Sequence, residues 1–97
     1  MEFIQIIELK TSKPEELMAL NEDFEKATEG KRTSRRSIVA RDRNDPSRHL
    51  VIVFFDSYES AVENSELPET QAMAPRFGEF VDGPVTFQDL DVIRDKS

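Results

Sequence analysis

The chain has 97 residues, of which 37% are hydrophobic and 34% charged, and its formal net charge is −7 at pH 7. This length suits one domain spanning residues 1–97, and the composition is that of a globular chain. There is no cysteine and only one histidine, His49. Disulfides, thiolate ligands and zinc sites with two histidines from one chain are therefore excluded, and the acidic balance argues against a nucleic-acid partner.

Nothing in the sequence indicates a membrane or an export route. No apolar run approaches the roughly 20 residues that a bilayer-spanning helix needs. The first ten residues, MEFIQIIELK, have no basic region ahead of their apolar stretch, so they do not resemble a secretory signal. We therefore expect a cytoplasmic protein without a membrane partner.

The N-terminal third predicts a strand followed by a helix. Residues 2–9 are apolar on both alternating faces, which favours a central place in a sheet. For the helix, Ser12 is the predicted N-cap with Glu15 as its capping-box partner, and Pro14 lies in the first turn. Four apolar residues at helical spacing form the predicted buried stripe: Leu17, Leu20, Phe24 and Ala27.

The middle of the chain predicts two further strands. Residues 33–41 carry polar side chains on both faces, which suits an edge strand. Residues 42–47 (DRNDPS) are a turn cluster. Residues 49–55 (HLVIVFF) are apolar on both faces and predict a second central strand.

The C-terminal third predicts a broken helix and a last strand. Ser57 caps the first helical segment, a break at residues 65–67 precedes Pro68, and Pro75 should kink or restart the second segment. The second segment carries an apolar stripe formed by Met73, Phe77, Phe80 and Val81. The last strand is predicted over residues 85–93.

The element order predicts an α+β, ferredoxin-like βαββαβ fold with an antiparallel sheet of strand order 4-1-3-2. Helices on one side would leave the other side of the sheet uncovered, although both central strands are apolar on both faces. A second copy of the same sheet is the simplest cover, so we expect a homodimer. Its contact face should include one alternating set of the third strand, either Leu50, Ile52 and Phe54 or Val51, Val53 and Phe55.

Charge is unevenly distributed along the chain. Residues 31–48 contain seven basic and two acidic side chains, whereas the remainder carries six basic and eighteen acidic ones. Such a stretch is most often a solvated edge strand that charge protects from aggregation. The alternatives are a patch for an anionic ligand and a patch for an acidic surface on a partner.

Two common uses of this fold are not supported. RNA-recognition modules place exposed aromatic residues on the central strands within a glycine-containing motif, and the third strand here has no glycine. Metallochaperones need Cys-x-x-Cys, which is absent. Because proteins with this fold have many different functions, the function must be inferred from the residues of the site.

Three local patterns are shared with a known family. Phe-Asp-Ser at residues 55–57 follows the third strand, Ser-Glu-Leu-Pro-Glu-Thr at 65–70 interrupts the helical region, and Asp-Gly-Pro at 82–84 precedes the last strand. With the short first strand, they span nearly the whole chain and resemble the antibiotic biosynthesis monooxygenase family of dimeric α/β barrels. The resemblance implies two sheets that close a barrel and a pocket between sheet and helices in each subunit.

The resemblance also bears on cofactors. Members that degrade haem use an Asn on the first strand, a Trp in the second helix and a His on the following helix. The corresponding positions are Gln5, Glu63 or Asn64, and the stretch 72–74. Because the chain has no tryptophan and no histidine in that helix, the resemblance argues against haem degradation. We expect no haem, metal or other cofactor.

Members that oxidise aromatic polyketides without metal or flavin place Asn, Trp, Tyr and Arg around a phenolic substrate. The candidate counterparts here are Asn64, Tyr58 and Arg76, although the Trp is missing. One hypothesis is therefore a cofactor-independent monooxygenase that acts on a small aromatic or phenolic compound. The alternatives are a non-catalytic small-molecule-binding homodimer and a purely structural one.

Seven residues form the predicted pocket, and each also has a structural interpretation. Gln5 lies on an apolar strand, so its amide must bind either a ligand or a structural partner. Asn64 could simply end a helix, and the apolar members could be core instead of pocket wall. No residue is assigned a catalytic role. The full set is Gln5, Tyr58, Asn64, Met73, Arg76, Phe77 and Phe80.

Overall fold

The computed structural model describes residues 1–97. It contains four strands and three helices in the order β1 (Phe3–Lys10), α1 (Pro14–Ala27), β2 (Ser34–Arg41), β3 (Arg48–Phe55), α2 (Tyr58–Glu66), α3 (Pro68–Gly78) and β4 (Thr86–Asp91).

The four strands form one antiparallel sheet in the order β2-β3-β1-β4. This is the predicted 4-1-3-2 order, so the predicted ferredoxin-like α+β fold is confirmed. The two strands that are apolar on both faces, β1 and β3, occupy the centre. The strand with polar side chains on both faces, β2, lies at an edge, where its outer N–H and C=O groups remain in water.

The pairing register assigns the two faces of the sheet. Phe3 is opposite Phe55, and Leu9 is opposite His49. All four side chains are buried beneath the helices, where Leu17 and Leu20 of α1 complete the core. Odd-numbered residues of β1 and β3 therefore face the helices, because side chains alternate along a strand.

The other side of the sheet, here called the open face, carries no helix. Its centre consists of apolar residues on four paired strands: Ile4, Ile6, Ile38, Leu50, Ile52, Phe54 and Leu90. None of them is fully buried within the chain. Of the two alternating sets predicted for dimer contact, the register thus places Leu50, Ile52 and Phe54 on the open face.

The start of α1 differs from the prediction. The N-cap is Lys13, without a side-chain cap bond, and the helix begins at Pro14. Thr11, not Ser12, provides the local side-chain bond, since its Oγ1 accepts from the Lys13 N–H at 2.9 Å. The Thr11 side chain is buried and also bonds the Phe80 carbonyl oxygen. A tertiary contact therefore decides which hydroxyl lies near the helix start.

The end of α1 also differs, because the predicted buried stripe continues through Thr28 instead of Ala27. Ala27 is exposed, whereas Thr28 is fully buried. The Thr28 Oγ1 donates to the Phe24 carbonyl oxygen at 2.8 Å. A threonine that bonds back to the preceding turn satisfies its own hydroxyl and can therefore be buried at little cost.

The helical region after β3 follows the prediction closely. Ser57 is the N-cap of α2, and its Oγ accepts from the Ser60 N–H at 3.1 Å. The chain breaks at Leu67, and α3 begins at Pro68. The helix α3 continues past Pro75 to Gly78, so the proline does not restart it. The last strand is shorter than predicted, and all six of its residues are exposed.

No helix of the chain is both long and apolar enough to cross a membrane.

One end of the open face carries an ion-pair network centred on Arg48. Its Nε and Nη2 bind the two Glu8 carboxylate oxygens at 3.0 and 3.2 Å, and its Nη1 binds Asp42 at 3.1 Å. Hydrogen bonds from Arg48 lower the pKa of Glu8. Bonds from the Asn44 N–H and from Arg48 lower the pKa of Asp42. The two-pronged geometry matches a guanidinium to a carboxylate.

Removing Arg48 should make folding less sensitive to acid. Both carboxyl pKa values are lower in the folded chain than their ordinary values of 4.5 and 3.8. Their stabilising contribution is present above those ordinary values and is lost as pH falls through the lowered ones. The free energy of unfolding, measured with urea at pH values from 7 to 3, should therefore fall less steeply below about pH 5 for Arg48→Met than for the wild type. Arg43→Met, which removes an unpaired cation, should retain the wild-type slope; parallel curves for all three proteins would contradict the assignment.

Candidate functional site

A cavity of about 570 Å³ lies between the sheet and the three helices. Its aromatic and apolar walls come from Phe24 of α1, Met73 and Phe77 of α3, and Val51 and Val53 of β3. The volume lies within the roughly 300–1,000 Å³ usual for small-molecule sites. The cavity forms where the helix-facing side chains of the edge strand β2 are short or exposed, so the helices do not pack fully against the sheet there.

Gln5 reaches the cavity from the middle of β1. Its Nε2 donates to the Asp89 carboxylate at 3.1 Å, and Asp89 is its pairing partner on β4. This bond fixes the orientation of the amide. It also gives Gln5 the structural partner that a polar side chain on an apolar strand requires. The Oε1 atom has no hydrogen-bond partner in the protein. It can therefore accept a hydrogen bond from a hydroxyl group within the cavity.

Asn64 lines the cavity from α2. Its Oδ1 accepts from the Thr33 N–H at 3.1 Å, and its carbonyl oxygen accepts from the Thr70 hydroxyl at 2.7 Å. These bonds join the start of β2 to the α2–α3 junction, and they explain why an asparagine fits here without ending the helix. The Nδ2 group donates to no protein atom. It is therefore an available donor within the cavity.

Two charged groups that the sequence did not single out also line the cavity. Arg32 and Glu25 lie at its edge, near the end of α1. The Arg32 Nη1 donates to the Glu25 carbonyl oxygen at 2.8 Å, and the Glu25 carboxylate accepts from Asn21 Nδ2 at 3.2 Å. The uneven charge around residues 31–48 was the one sequence signal for this feature.

Two more arginines border the cavity, and both are engaged elsewhere. Arg35 binds Glu2 at 2.6 Å and Asp56 at 3.3 Å. The Arg36 guanidinium lies 5.5 Å from the centre of the Phe54 ring, which places its charge on the open face.

The structure divides the seven residues predicted for the pocket. Gln5, Asn64, Met73 and Phe77 line the cavity, whereas Tyr58, Arg76 and Phe80 do not. Tyr58 is 54% exposed and packs edge-on against Phe3, with the ring centres 5.4 Å apart.

The other two residues also lie outside the cavity. Arg76 is exposed on α3 and is not among the residues that line the cavity. Phe80 lies beyond the end of α3, where its carbonyl oxygen bonds the Thr11 hydroxyl.

The other concave and charged regions are weaker candidates for a binding site than the cavity. A depression of about 540 Å³ at the β2–β3 turn is lined by Arg41, Asp42, Arg43 and Pro46 and has no hydrophobic wall. No three His, Cys, Asp or Glu side chains are grouped so as to hold a metal ion.

The cavity is suited to holding an aromatic ring with a polar or anionic substituent. Its walls supply apolar contact, and the neutral amides of Gln5 and Asn64, each held by a hydrogen bond, supply one acceptor and one donor. Glu25 is the sole carboxylate among the lining residues, and no histidine lines the cavity. The lining residues therefore include few groups able to transfer a proton.

No family model matches the sequence, and no curated protein matches it. Solved structures do match. SnoaB, a cofactor-independent oxygenase from Streptomyces nogalater, superposes with a TM-score of 0.83 at 9% identity, covering 97% of this chain and 95% of that one. A Caulobacter crescentus CB15 protein assigned as an antibiotic biosynthesis monooxygenase gives 0.83 at 14% identity, covering 96% and 91%. A Mycobacterium tuberculosis protein gives 0.81 at 15% identity over the full length of both chains.

These superpositions establish the fold of the single chain: it is the antibiotic biosynthesis monooxygenase fold along essentially its whole length. At identities between 9% and 15%, the shared fold does not establish shared side chains in the cavity. The chemistry must therefore be argued from the residues of this chain.

Proposed function

We propose that this protein is a cofactor-independent monooxygenase that oxidises a small aromatic or phenolic compound in the cavity between sheet and helices. The observation that carries the proposal is the aromatic-walled cavity of about 570 Å³, with the fixed amides of Gln5 and Asn64 at its surface. The fold supports it, because SnoaB, which has the same fold, is named as a cofactor-independent oxygenase.

The proposed reaction converts an aromatic C–H group opposite a phenolic oxygen into a carbonyl. The phenol loses its proton, and the electron-rich phenolate transfers electrons to dioxygen. A C–O bond forms at the ring carbon to give a hydroperoxide. Loss of the C–H proton and cleavage of the O–O bond then release water and leave a quinone. One dioxygen is consumed for each quinone and each water, so no external reductant is needed.

The cavity residues act by positioning and by stabilising charge. The Asn64 Nδ2 group donates to the phenolate oxygen, which stabilises the anion before and during electron transfer. The Gln5 Oε1 atom, held by the bond to Asp89, accepts from a second hydroxyl and sets the ring orientation. The walls formed by Phe24, Phe77 and Val53 exclude water, which strengthens these polar contacts.

Replacing Asn64 by aspartate should slow oxidation by about tenfold or more. The substitution retains the oxygen that accepts from Thr33 but replaces the donor with a negative charge, which repels a phenolate. The probe is 1,5-dihydroxynaphthalene, whose oxidation to the hydroxynaphthoquinone is followed by absorbance with an oxygen electrode in parallel. Wild-type protein should consume oxygen and form quinone in a one-to-one ratio. Asn44→Asp, the same change in the β2–β3 turn, should leave the rate unchanged.

Oxygen uptake no faster than in buffer, over a panel of mono- and dihydroxynaphthalenes that bind, would overturn the oxygenase proposal. It would favour the second function, a non-catalytic small-molecule-binding dimer. One observation supports that alternative: the sole carboxylate among the lining residues, Glu25, is exposed and already accepts a hydrogen bond from Asn21.

We further propose that the protein is a homodimer joined through the open face. Seven apolar side chains cover the centre of that face, and no element of the chain packs on it. A second copy would bury both faces at once, since a two-fold contact is self-complementary. The Arg48–Glu8 pair at one end of the face would form part of a polar rim.

A further inference from the structure

The cavity lies in the basic part of an acidic protein. Its lining residues include three arginines and one glutamate, whereas the chain as a whole carries a net charge of −7. We propose that Arg32 makes the cavity selective for aromatic acids, in which a carboxylate on the ring system binds the guanidinium at the cavity edge. This inference rests on the proposed function, because it specifies the substrate class of the same site.

Arg32 is the cation at the cavity that remains available. Lys31, Arg35 and Arg48 each bind carboxylates of the chain itself, and Arg36 is turned to the open face. Arg32 forms no ion pair. The Glu25 carboxylate could compete with a ligand for Arg32, but it accepts a hydrogen bond from Asn21 instead.

The backbone and side chain of Arg32 are both held in place. Its N–H donates to the carbonyl oxygen of the buried Thr28 at 2.9 Å. Its Nη1 donates to the Glu25 carbonyl oxygen at 2.8 Å. The other guanidinium donors have no protein partner. A planar guanidinium that is anchored at one nitrogen can present the rest of its fork to a carboxylate.

Arg32 and Gln5 lie at separate places around the cavity, so one ligand must be extended to reach both. β1 is the second strand in from β2, and ordinary sheet spacing separates these strands by about 10 Å. Gln5 is level with Ser37 across the sheet, five residues after Arg32, and this offset adds to the separation along the strand direction. A fused two-ring system with a hydroxyl at one end and a carboxylate at the other is therefore the probe we choose, with the hydroxyl directed to Gln5 and the carboxylate to Arg32.

The test compares 6-hydroxy-2-naphthoate with its uncharged methyl ester by fluorescence titration at pH 7.5. Wild-type protein should bind the acid about tenfold more tightly than the ester. Arg32→Gln should abolish this preference by weakening acid binding about tenfold, with ester binding changed less than twofold. Arg43→Gln, which changes net charge equally at a site outside the cavity, should retain the preference.

Three outcomes would overturn the inference: equal binding of acid and ester by the wild type, equal weakening of both ligands in Arg32→Gln, or the same loss in Arg43→Gln. The wild-type comparison of acid with ester decides the question even where Arg32→Gln does not fold. Oxygen uptake with the dihydroxynaphthalenes is measured on the same samples. Oxidation of neutral phenols without preference for the acid would reject this inference alone, whereas acid-selective binding without oxygen uptake would reject the oxygenase and leave an aromatic-acid-binding site.

Discussion

Ile52→Asp should convert the proposed dimer into monomers of 11.2 kDa, weakening self-association by at least about 100-fold. Ile52 lies at the centre of the open face, between Ile6 on β1 and Ile38 on β2. In a dimer each new carboxylate would be buried among apolar side chains, and the two-fold symmetry would introduce two of them. Sedimentation equilibrium at micromolar concentration measures the effect directly.

The matched control for this substitution is Val39→Asp. Val39 lies on β2 and is 37% exposed, but its partner is Val51, so it faces the helix side. The same charge introduced there should leave the protein dimeric. A wild-type protein that sediments only as the single chain would reject the homodimer, and a dimeric Ile52→Asp would reject the open face as its interface.

The two-sided apolar pattern of β1 and β3 allowed the sheet order to be predicted, because only central strands tolerate apolar side chains on both faces. The pattern could not decide which alternating set of β3 faces the helices. That choice depends on the pairing of Phe55 with Phe3 and on the helices that cover them. Both are tertiary contacts, which the pattern along a single strand does not contain.

The sequence signals for helix caps were reliable where a single local hydrogen bond forms the cap. They were unreliable where a contact with a residue distant in the sequence determines which side chain lies near the helix start. Ser57 is a cap in the sequence and in the structure, because its acceptor bond to Ser60 is purely local. Ser12 matched the same motif but is not the cap. The nearby Thr11 is buried against the Phe80 carbonyl oxygen, an interaction between residues far apart in the sequence.

The apolar wall of the cavity could be predicted from periodicity, but the placement of its polar residues could not. Met73 and Phe77 follow from helix periodicity, whereas the face of the sheet that Gln5 occupies depends on strand pairing and on where the helices pack. Arg32 lies in a loop, and its position depends on bonds to α1 that no periodicity reveals. Tyr58 and Arg76 were chosen by residue type through the family resemblance, and residue type alone does not fix the direction of a side chain.

Val53→Trp should fill the cavity and abolish binding of aromatic ligands while leaving the protein folded. Val53 lies on β3 between Gln5 of β1 and Ser37 of β2, and all three side chains line the cavity. An indole there would occupy the space that a bound ring needs. Binding of 2-naphthol, measured by fluorescence titration, should weaken by at least about tenfold, the loss expected when the apolar contact of a small ring is removed.

The stability of the same variant distinguishes an open cavity from a packed core. In a core without free volume, a valine-to-tryptophan change forces neighbouring side chains apart and typically costs about 1–3 kcal/mol or more. In an open cavity the new ring gains contact area, and the free energy of unfolding should be unchanged or higher. Val39→Trp makes the same substitution on the helix-facing side of β2 at a residue outside the cavity lining, and should bind 2-naphthol as the wild type does. A strongly destabilised Val53→Trp, or one that still binds 2-naphthol normally, would show that the space beside Gln5 is not the ligand site and would remove the structural basis for the oxygenase.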